Sequence, residues 1–291
     1  MTTLLCYNSL EYKILLDIFQ NTKLDKWIAQ NVESFIYEWK EERYESGKLQ
    51  SIYLTRFGER EGEYKKWFDN GQLEIHCYYK EGNLEGEYKK WYRVAGELSA
   101  SASESDNGQL DIHCNYKEGN LEGEYMEWHM NSQLYIHCFY KEGKLEREYK
   151  EWQLNGLIWA HYNYKKGKIE GKYKDWWSNG QLKVHYNIKE GKEEGEYKEW
   201  YLNGQLYIHC YYKEGKKEGE YKSWCSNGQL EIHCYYKEGK EEGEYKEWYL
   251  NGQLYIHCHF REGKKEGEYK EWNEEGVLIK DEVYHNGEKI N

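Results

Sequence analysis

Apolar and polar side chains alternate along Gln253–Phe260, near the C-terminal end of the chain. The even-numbered residues are Leu, Ile, Cys and Phe, and the odd-numbered ones are Gln, Tyr, His and His. A period of two is typical of a β-strand with one buried face. The aromatic-rich stretch Glu244–Tyr249 precedes it. Asn251-Gly252 lies between the two stretches and is a strong signal for a two-residue hairpin turn, because both residue types accept a positive φ. The sequence therefore predicts a β-hairpin here.

The same hairpin pattern recurs along most of the chain. Gly-Glu-Tyr begins at Gly195, Gly219, Gly243 and Gly267, which is a step of 24 residues. Each copy can bury its apolar face only against neighbouring copies, so repeated units of this kind stack. We therefore expect a mainly β fold over residues 43–291, an elongated single-sheet meander of about ten hairpin repeats. Some twenty strands about 4.8 Å apart would span about 90–100 Å and curl.

The first 42 residues follow a different pattern. Leu10, Ile14 and Ile18 are spaced by four, and apolar residues from Leu24 to Trp39 mark one face of a second helix. Short helices of this kind need a packing partner. We expect residues 1–42 to form a short α-helical cap over the first open strand, or alternatively a docking segment.

One step of the repeat is irregular. Gly86 and Gly123 are 37 residues apart, and the extra residues fall within 93–106, which is rich in Ser, Ala and acidic residues. Such a composition predicts a surface loop inserted into the array.

The amino-acid composition indicates what fills the buried face. The chain has 291 residues, with 32 Tyr and 13 Trp but only 6 Phe, so Tyr and Trp must supply most of the buried surface. Equivalent rings such as Tyr197, Tyr221 and Tyr245 are expected to form ladders.

The net charge of −12 disfavours binding to nucleic acid and to anionic membranes. No apolar stretch of membrane-spanning length and no signal peptide is visible, so we expect a cytoplasmic protein, in the host cytoplasm if it is viral.

The repeated sequence motif also resembles that of a known family. The pattern Gly-Glu-Tyr-Lys-Glu-Trp-Tyr-x-Asn-Gly-Gln-Leu, followed by Lys-Glu-Gly-Lys-x-x-Gly, is similar to the MORN repeat in its Asn-Gly-x-Leu variant, over about residues 43–290. The resemblance implies an elongated β-hairpin array that serves as a scaffold or binding surface. Proteins with this variant include bacterial proteins labelled as antitoxins and proteins of large DNA viruses, and better-known MORN proteins are linked to membrane attachment and protein assembly.

A row of histidines suggests metal binding, but its geometry argues against it. The row comprises His76, His113, His137, His161, His185, His209, His233 and His257, and six of these precede a cysteine. Equivalent residues of adjacent hairpins lie two strands apart, about 9–10 Å, whereas zinc ligands must nearly touch. Consecutive His and Cys point to opposite faces. We therefore expect no metal site and no cofactor, with cysteines in the core and histidines in a half-exposed stripe.

Catalysis requires a unique constellation of residues, and copied residues do not provide one. The non-repeated candidates Cys6, Cys225, His129 and His285 have no visible partner. We expect a non-enzymatic scaffold that binds an unknown protein partner through a curved aromatic and histidine face. The alternatives are a membrane-surface tether and an antitoxin-like inhibitor. The candidate binding residues are Tyr135, His137, Tyr207, His209, Tyr211, His233, Tyr235, Tyr255 and His257.

Overall fold

A computed structural model describes residues 37–94 and 108–290. The chain divides into two compact units, Met1–Leu121 and Glu122–Asn291. The described residues form 24 β-strands, numbered β1 to β24. In this part of the chain no helix is long and apolar enough to cross a membrane.

The first unit contains six strands and the start of a seventh. They are β1 (Tyr37–Arg43), β2 (Leu49–Arg56), β3 (Glu59–Trp67), β4 (Leu73–Lys80), β5 (Asn83–Trp91) and β6 (Leu110–Lys117), and the boundary between the units falls within β7 (Asn120–Trp128).

The second unit contains the remaining strands. They are β8 (Leu134–Lys141), β9 (Lys144–Trp152), β10 (Ile158–Lys165), β11 (Lys168–Trp176), β12 (Leu182–Lys189), β13 (Lys192–Glu193), β14 (Gly195–Trp200), β15 (Leu206–Lys213), β16 (Lys216–Lys217), β17 (Gly219–Trp224), β18 (Leu230–Lys237), β19 (Lys240–Glu241), β20 (Gly243–Trp248), β21 (Leu254–Arg261), β22 (Lys264–Trp272), β23 (Leu278–His285) and β24 (Glu288–Lys289).

Within each unit the strands pair antiparallel with their neighbours in sequence. In the copy at the C-terminal end, β20 pairs with β21 with Tyr245 opposite Cys258 and Lys246 opposite His257. In the first unit β3 pairs with β4 in the equivalent register, with Tyr64 opposite Cys77. The predicted mainly β meander of hairpin repeats is confirmed within each unit. The length and curvature of the whole array stay predictions.

The N-terminal prediction is wrong where the structure describes it. Trp39 was expected on the second helix, but it lies in β1, opposite Leu54 of β2. A free strand edge in β2 offers a full ladder of backbone hydrogen bonds, and this pairing overrides the helical spacing of the apolar residues. Residues 1–36, where the rest of the helical segment was expected, and most of the 93–106 insertion lie outside the described residues, so their roles stay predictions.

The turn inside each hairpin differs from the expected two-residue form. Gly252 N donates to Tyr249 O at 2.8 Å, and Tyr249 N donates to Gln253 O at 2.9 Å. This makes a four-residue turn in which Gly252, at φ 84°, has a positive φ and Asn251 does not. Asn251 contributes through its side-chain hydrogen bonds and not through a positive φ. Its Oδ1 accepts from Gln253 N at 2.9 Å, and its Nδ2 donates to Glu274 O at 3.0 Å in the next repeat.

The tight two-residue turn lies between hairpins. Glu262 and Gly263 both have a positive φ, 51° and 78°, which is the type I′ geometry that suits the twist of antiparallel strands. A glutamate is an uncommon residue in the left-handed region. The carboxylate of Glu242, twenty residues earlier, accepts the Glu262 N–H at 2.8 Å. The tight turns from Glu81 to Asn286 have the equivalent bond. In the first of them the Glu81 N–H donates to the Glu61 carboxylate, and in the last the Asn286 N–H donates to the Glu266 carboxylate.

The cysteines form the centre of the buried face, as predicted. Cys77, Cys114, Cys138, Cys210, Cys234 and Cys258 are each only 1–2% exposed. Burial raises the pKa of the Cys210, Cys234 and Cys258 thiols to about 11, so these thiols stay protonated and act as small apolar groups.

The aromatic ladder takes a different form from the one expected. Tyr197, Tyr221 and Tyr245 do not stack on one another, because a strand bearing Cys210 or Cys234 lies between each pair. A direct ladder forms instead where tyrosine replaces cysteine. Rings 149, 162, 173, 186 and 197 follow one another at centroid distances of 5.8, 4.4, 4.5 and 5.3 Å.

We expect Glu238→Asn to stabilise the protein. Glu238 has a φ of 51° at the tight turn, and Asn tolerates this conformation better, as Asn286 does in the last copy. The free energy of unfolding should rise by about 0.5–1 kcal/mol. Urea denaturation followed by tryptophan fluorescence measures it. Glu274→Asn is the control: it removes the same charge at an exposed turn position with ordinary φ and should change stability little. Equal effects of the two variants would contradict the account of the turn.

Candidate functional site

Each repeat exposes the face opposite to the cysteines. Because Lys246 pairs with His257 while Tyr245 pairs with Cys258, the lysine and the histidine share this second face. We call it the histidine face; it carries Glu244, Lys246, Tyr255 and His257 in this copy and the equivalent residues in the others. The prediction that consecutive His and Cys point to opposite faces is confirmed.

Three side chains form a polar rung across the middle of this face. Glu244 Oε1 lies 2.8 Å from Lys246 Nζ and 3.0 Å from His257 Nε2. The hydrogen bond from Lys246 outweighs partial burial and holds the pKa of Glu244 below its ordinary value, so the carboxylate is ionised at neutral pH. The same rung recurs with Glu63, Lys65 and His76; with Glu87, Lys89 and His113; with Glu196, Lys198 and His209; and with Glu220, Lys222 and His233.

The rungs were not found from the sequence, although a signal was present. In the regular copies the histidine follows the glutamate by thirteen residues, and a lysine stands two residues after the glutamate. The three side chains meet only across the paired strands. A bulge at the turn shifts the pairing by one residue between Glu247 and Trp248, so spacing along the sequence does not show which residues lie opposite each other.

One rung is broken. Lys172 stands at the position where other copies have the glutamate, and His185 lies opposite Lys174 on one side and Lys198 on the other. Burial, followed by the charge on Lys174, lowers the pKa of His185. His185 is therefore neutral at physiological pH, and its protonation below the ordinary histidine pKa of 6.5 disfavours the folded state.

All nine predicted binding residues lie in strands of the second unit, on the face opposite to the cysteines. Tyr211 and Tyr235 are the most accessible tyrosines among them, at 41% and 40% exposed, and each ring lies 5.3 Å from the imidazole of its own strand. The histidines 209, 233 and 257 belong to rungs, and His137 lies 2.7 Å from Glu124. Binding by these residues stays a prediction.

The other tyrosines of the set are held by an aromatic neighbour at the hairpin turn. Tyr207 packs on Tyr201 at 4.7 Å, and Tyr255 packs on Tyr249 at 4.7 Å. Tyr135 packs on the imidazole of His129 at 4.6 Å. These rings therefore pack at a tilt, within their own repeat.

A second apolar feature lies at the hairpin turns and was missed in the sequence. Met130, Leu154, Leu202 and Leu250 are 71%, 63%, 53% and 63% exposed. In these four copies the residue directly precedes the asparagine of the hairpin turn, so all four occupy the same turn position. Leu202 also lines a shallow recess with Tyr201, Asn203 and Ser226. We call these four residues the turn row.

One copy carries a potential metal-ligand cluster. His259 follows His257 by two residues on β21, and one ligand atom from each of Glu244, His257 and His259 lies within 4.8 Å of the others. Equivalent residues of different repeats and consecutive His-Cys pairs lie too far apart or on opposite faces to bind one ion. His257 and His259 differ from both cases, because they lie on the same face of one strand.

Comparison with known proteins supports a MORN-repeat protein. The model for the MORN repeat variant matches residues 60–81, 169–190, 193–214, 217–238, 241–262 and 265–286. Each segment ends at the residue in the left-handed conformation at the tight turn. A search of curated proteins finds no significant match.

Solved structures offer only a distant likeness. Crystal structures of TcdB2-TccC3 and TcdB2-TccC3-TEV match at 10% and 12% identity, with TM-scores of 0.20 and 0.21. Each match covers 86% of this chain but only 16% and 15% of the other, so the chain spans about a sixth of their length. At these scores the likeness carries no argument about fold or function.

We expect Lys172→Glu to rebuild the missing rung. A carboxylate at position 172 would face Lys174 and His185, as Glu196 faces Lys198 and His209. The pKa of His185 should rise, because a negative charge then favours the imidazolium. NMR titration of the His185 ring signals measures this change. Lys168→Glu, the same charge change at the start of β11, is the control. If both variants raise the His185 pKa equally, the effect is one of net charge and the rung account is wrong.

Proposed function

We propose that this chain is a non-enzymatic repeat scaffold that binds a protein partner through the histidine face of its second unit. The observation that carries the proposal is the pair of exposed rings, Tyr211 and Tyr235, repeated on neighbouring hairpins and each held beside an ordered rung. The matches to the MORN repeat variant support a repeat protein of a kind often involved in binding.

The arrangement suits recognition because its parts are already ordered. Tyrosine supplies a large contact area with few rotatable bonds, and it is enriched among the residues that dominate interface energies. His209 and His233, against which the rings rest, are fixed by Glu196 and Glu220 at 3.0 Å. A partner therefore pays little additional entropy for ordering these side chains.

The charge pattern favours a protein over a polyanion. Within each complete rung the lysine and glutamate charges cancel, and the chain as a whole carries −12. The face therefore presents tyrosine rings separated by neutral polar groups, which fits a partner surface with apolar side chains and amide groups. We place this binding in the cytoplasm, where buried thiols such as Cys210 and Cys234 remain reduced.

The antitoxin-like role is a finer form of the same proposal, since it also requires a bound protein. The membrane tether is a different class, and it requires binding to lipid vesicles. Failure to co-sediment with anionic vesicles at low salt, together with retained binding to a protein partner, separates the two.

We expect Tyr211→Ser combined with Tyr235→Ser to weaken partner binding. Partners are first identified by cross-linking in cells and mass spectrometry, and the affinity of a purified partner for each variant is then measured. Loss of two exposed anchor rings should weaken binding by about tenfold or more. The matched control is Leu202→Ser with Leu250→Ser, which removes two exposed apolar side chains from the turn row.

Both variants should fold because the four side chains lie on the surface, and circular dichroism checks this. Partner binding retained by the tyrosine variant and lost by the leucine variant would move the binding surface to the turn row and overturn the proposal. Binding that neither variant changes would overturn it as well.

A further inference from the structure

We propose that Glu244, His257 and His259 form a site for a single Zn²⁺ ion on the histidine face. Metal binding here does not require a bound partner; it needs only the last complete rung and one additional imidazole. The three residues are the one such cluster found in the described part of the chain.

Strand geometry brings the three ligands together. His257 and His259 are separated by one residue on β21, so both side chains project from the same face. Glu244 on β20 lies directly opposite His259 in the register. The two imidazole centroids are 5.6 Å apart, and His257 Nε2 already lies 3.0 Å from Glu244 Oε1. Pairing with β20 fixes the positions from which both histidines project, and His257 is also paired with Lys270 of β22.

Only small movements are required to close the site. Zinc binds His nitrogen and carboxylate oxygen at about 2.0–2.2 Å, so tetrahedral ligands lie about 3.4 Å apart. The ligand atoms here are within 4.8 Å of one another, and the side chain of His259 is exposed and therefore able to rotate. Lys246 Nζ, 2.8 Å from Glu244 Oε1, would give way to the cation.

The identity of the donors selects the metal. Two imidazoles and one carboxylate are typical ligands of Zn²⁺ and neighbouring transition metals, whereas Mg²⁺ and Ca²⁺ require mostly oxygen ligands. Glu268 on β22 interacts electrostatically with both His257 and His259. Water can occupy the fourth position.

The site distinguishes one repeat from all the others. Tyr211 and Tyr235 occupy the position of His259 in the two preceding copies, which otherwise share the same rung. The chain thus supplies its own controls. His259→Tyr converts this copy into the form of its neighbours, and Tyr235→His gives the preceding copy the same three ligands, Glu220, His233 and residue 235.

Isothermal titration of the full chain with Zn²⁺ tests the proposal. Wild type should bind one equivalent that His259→Tyr lacks, and Tyr235→His should bind one equivalent more than wild type. Mg²⁺ should produce no such difference. Because tyrosine and histidine both occur at this position within the array, both variants should fold, and circular dichroism verifies it.

Two results would overturn the site. The first is an unchanged Zn²⁺ stoichiometry and affinity in His259→Tyr, which would place the bound metal elsewhere, such as at Cys225 or another histidine. The second is no gain in Tyr235→His, which would show that two imidazoles and a carboxylate in this register do not suffice.

Discussion

The carboxylate that supports the tight turn between hairpins is the contact on which the rest of the repeat depends. Glu262 occupies the left-handed region, which is unfavourable for its side chain, and the bond from its N–H to Glu242 offsets part of that cost. The turn sets the register between one hairpin and the next. A slip by one residue would move every side chain to the opposite face, so histidines and cysteines would exchange places.

A fixed register in turn decides which substitutions the buried face tolerates. Tyr162 and Tyr186 stand where most copies have cysteine, and Ala160 and Val184 stand at the position of Ile256. Larger rings and smaller neighbours compensate in volume, as close packing requires. Because the compensation is confined to the cysteine side, the opposite face keeps its histidine at positions 161 and 185.

The sequence predicts the alternation, the 24-residue step and the separation of His from Cys, since each depends on local periodicity. It does not predict which turn is tight. Asn251-Gly252 has the composition of a two-residue turn, but the side chain of Asn251 bonds to Glu274 O, a contact made only after the next hairpin is in place. The rungs were missed for a similar reason, because Glu244 and His257 meet across strands. Trp39 was misplaced because the spacing of apolar residues in the first 42 positions does not reveal the pairing available to β1.

Repetition and exception make different contributions to this protein. Within each unit, identical rungs place the same groups at regular intervals, but they distinguish no copy from its neighbours. Distinct chemistry arises where a copy departs from the pattern, as Lys172 removes a carboxylate from one rung and His259 adds an imidazole to another. Beside Lys172, His185 stays neutral. His257, in contrast, gains in His259 a second imidazole for the proposed metal site. A single substitution changes the chemistry of one hairpin because the surrounding register is already fixed by its turns.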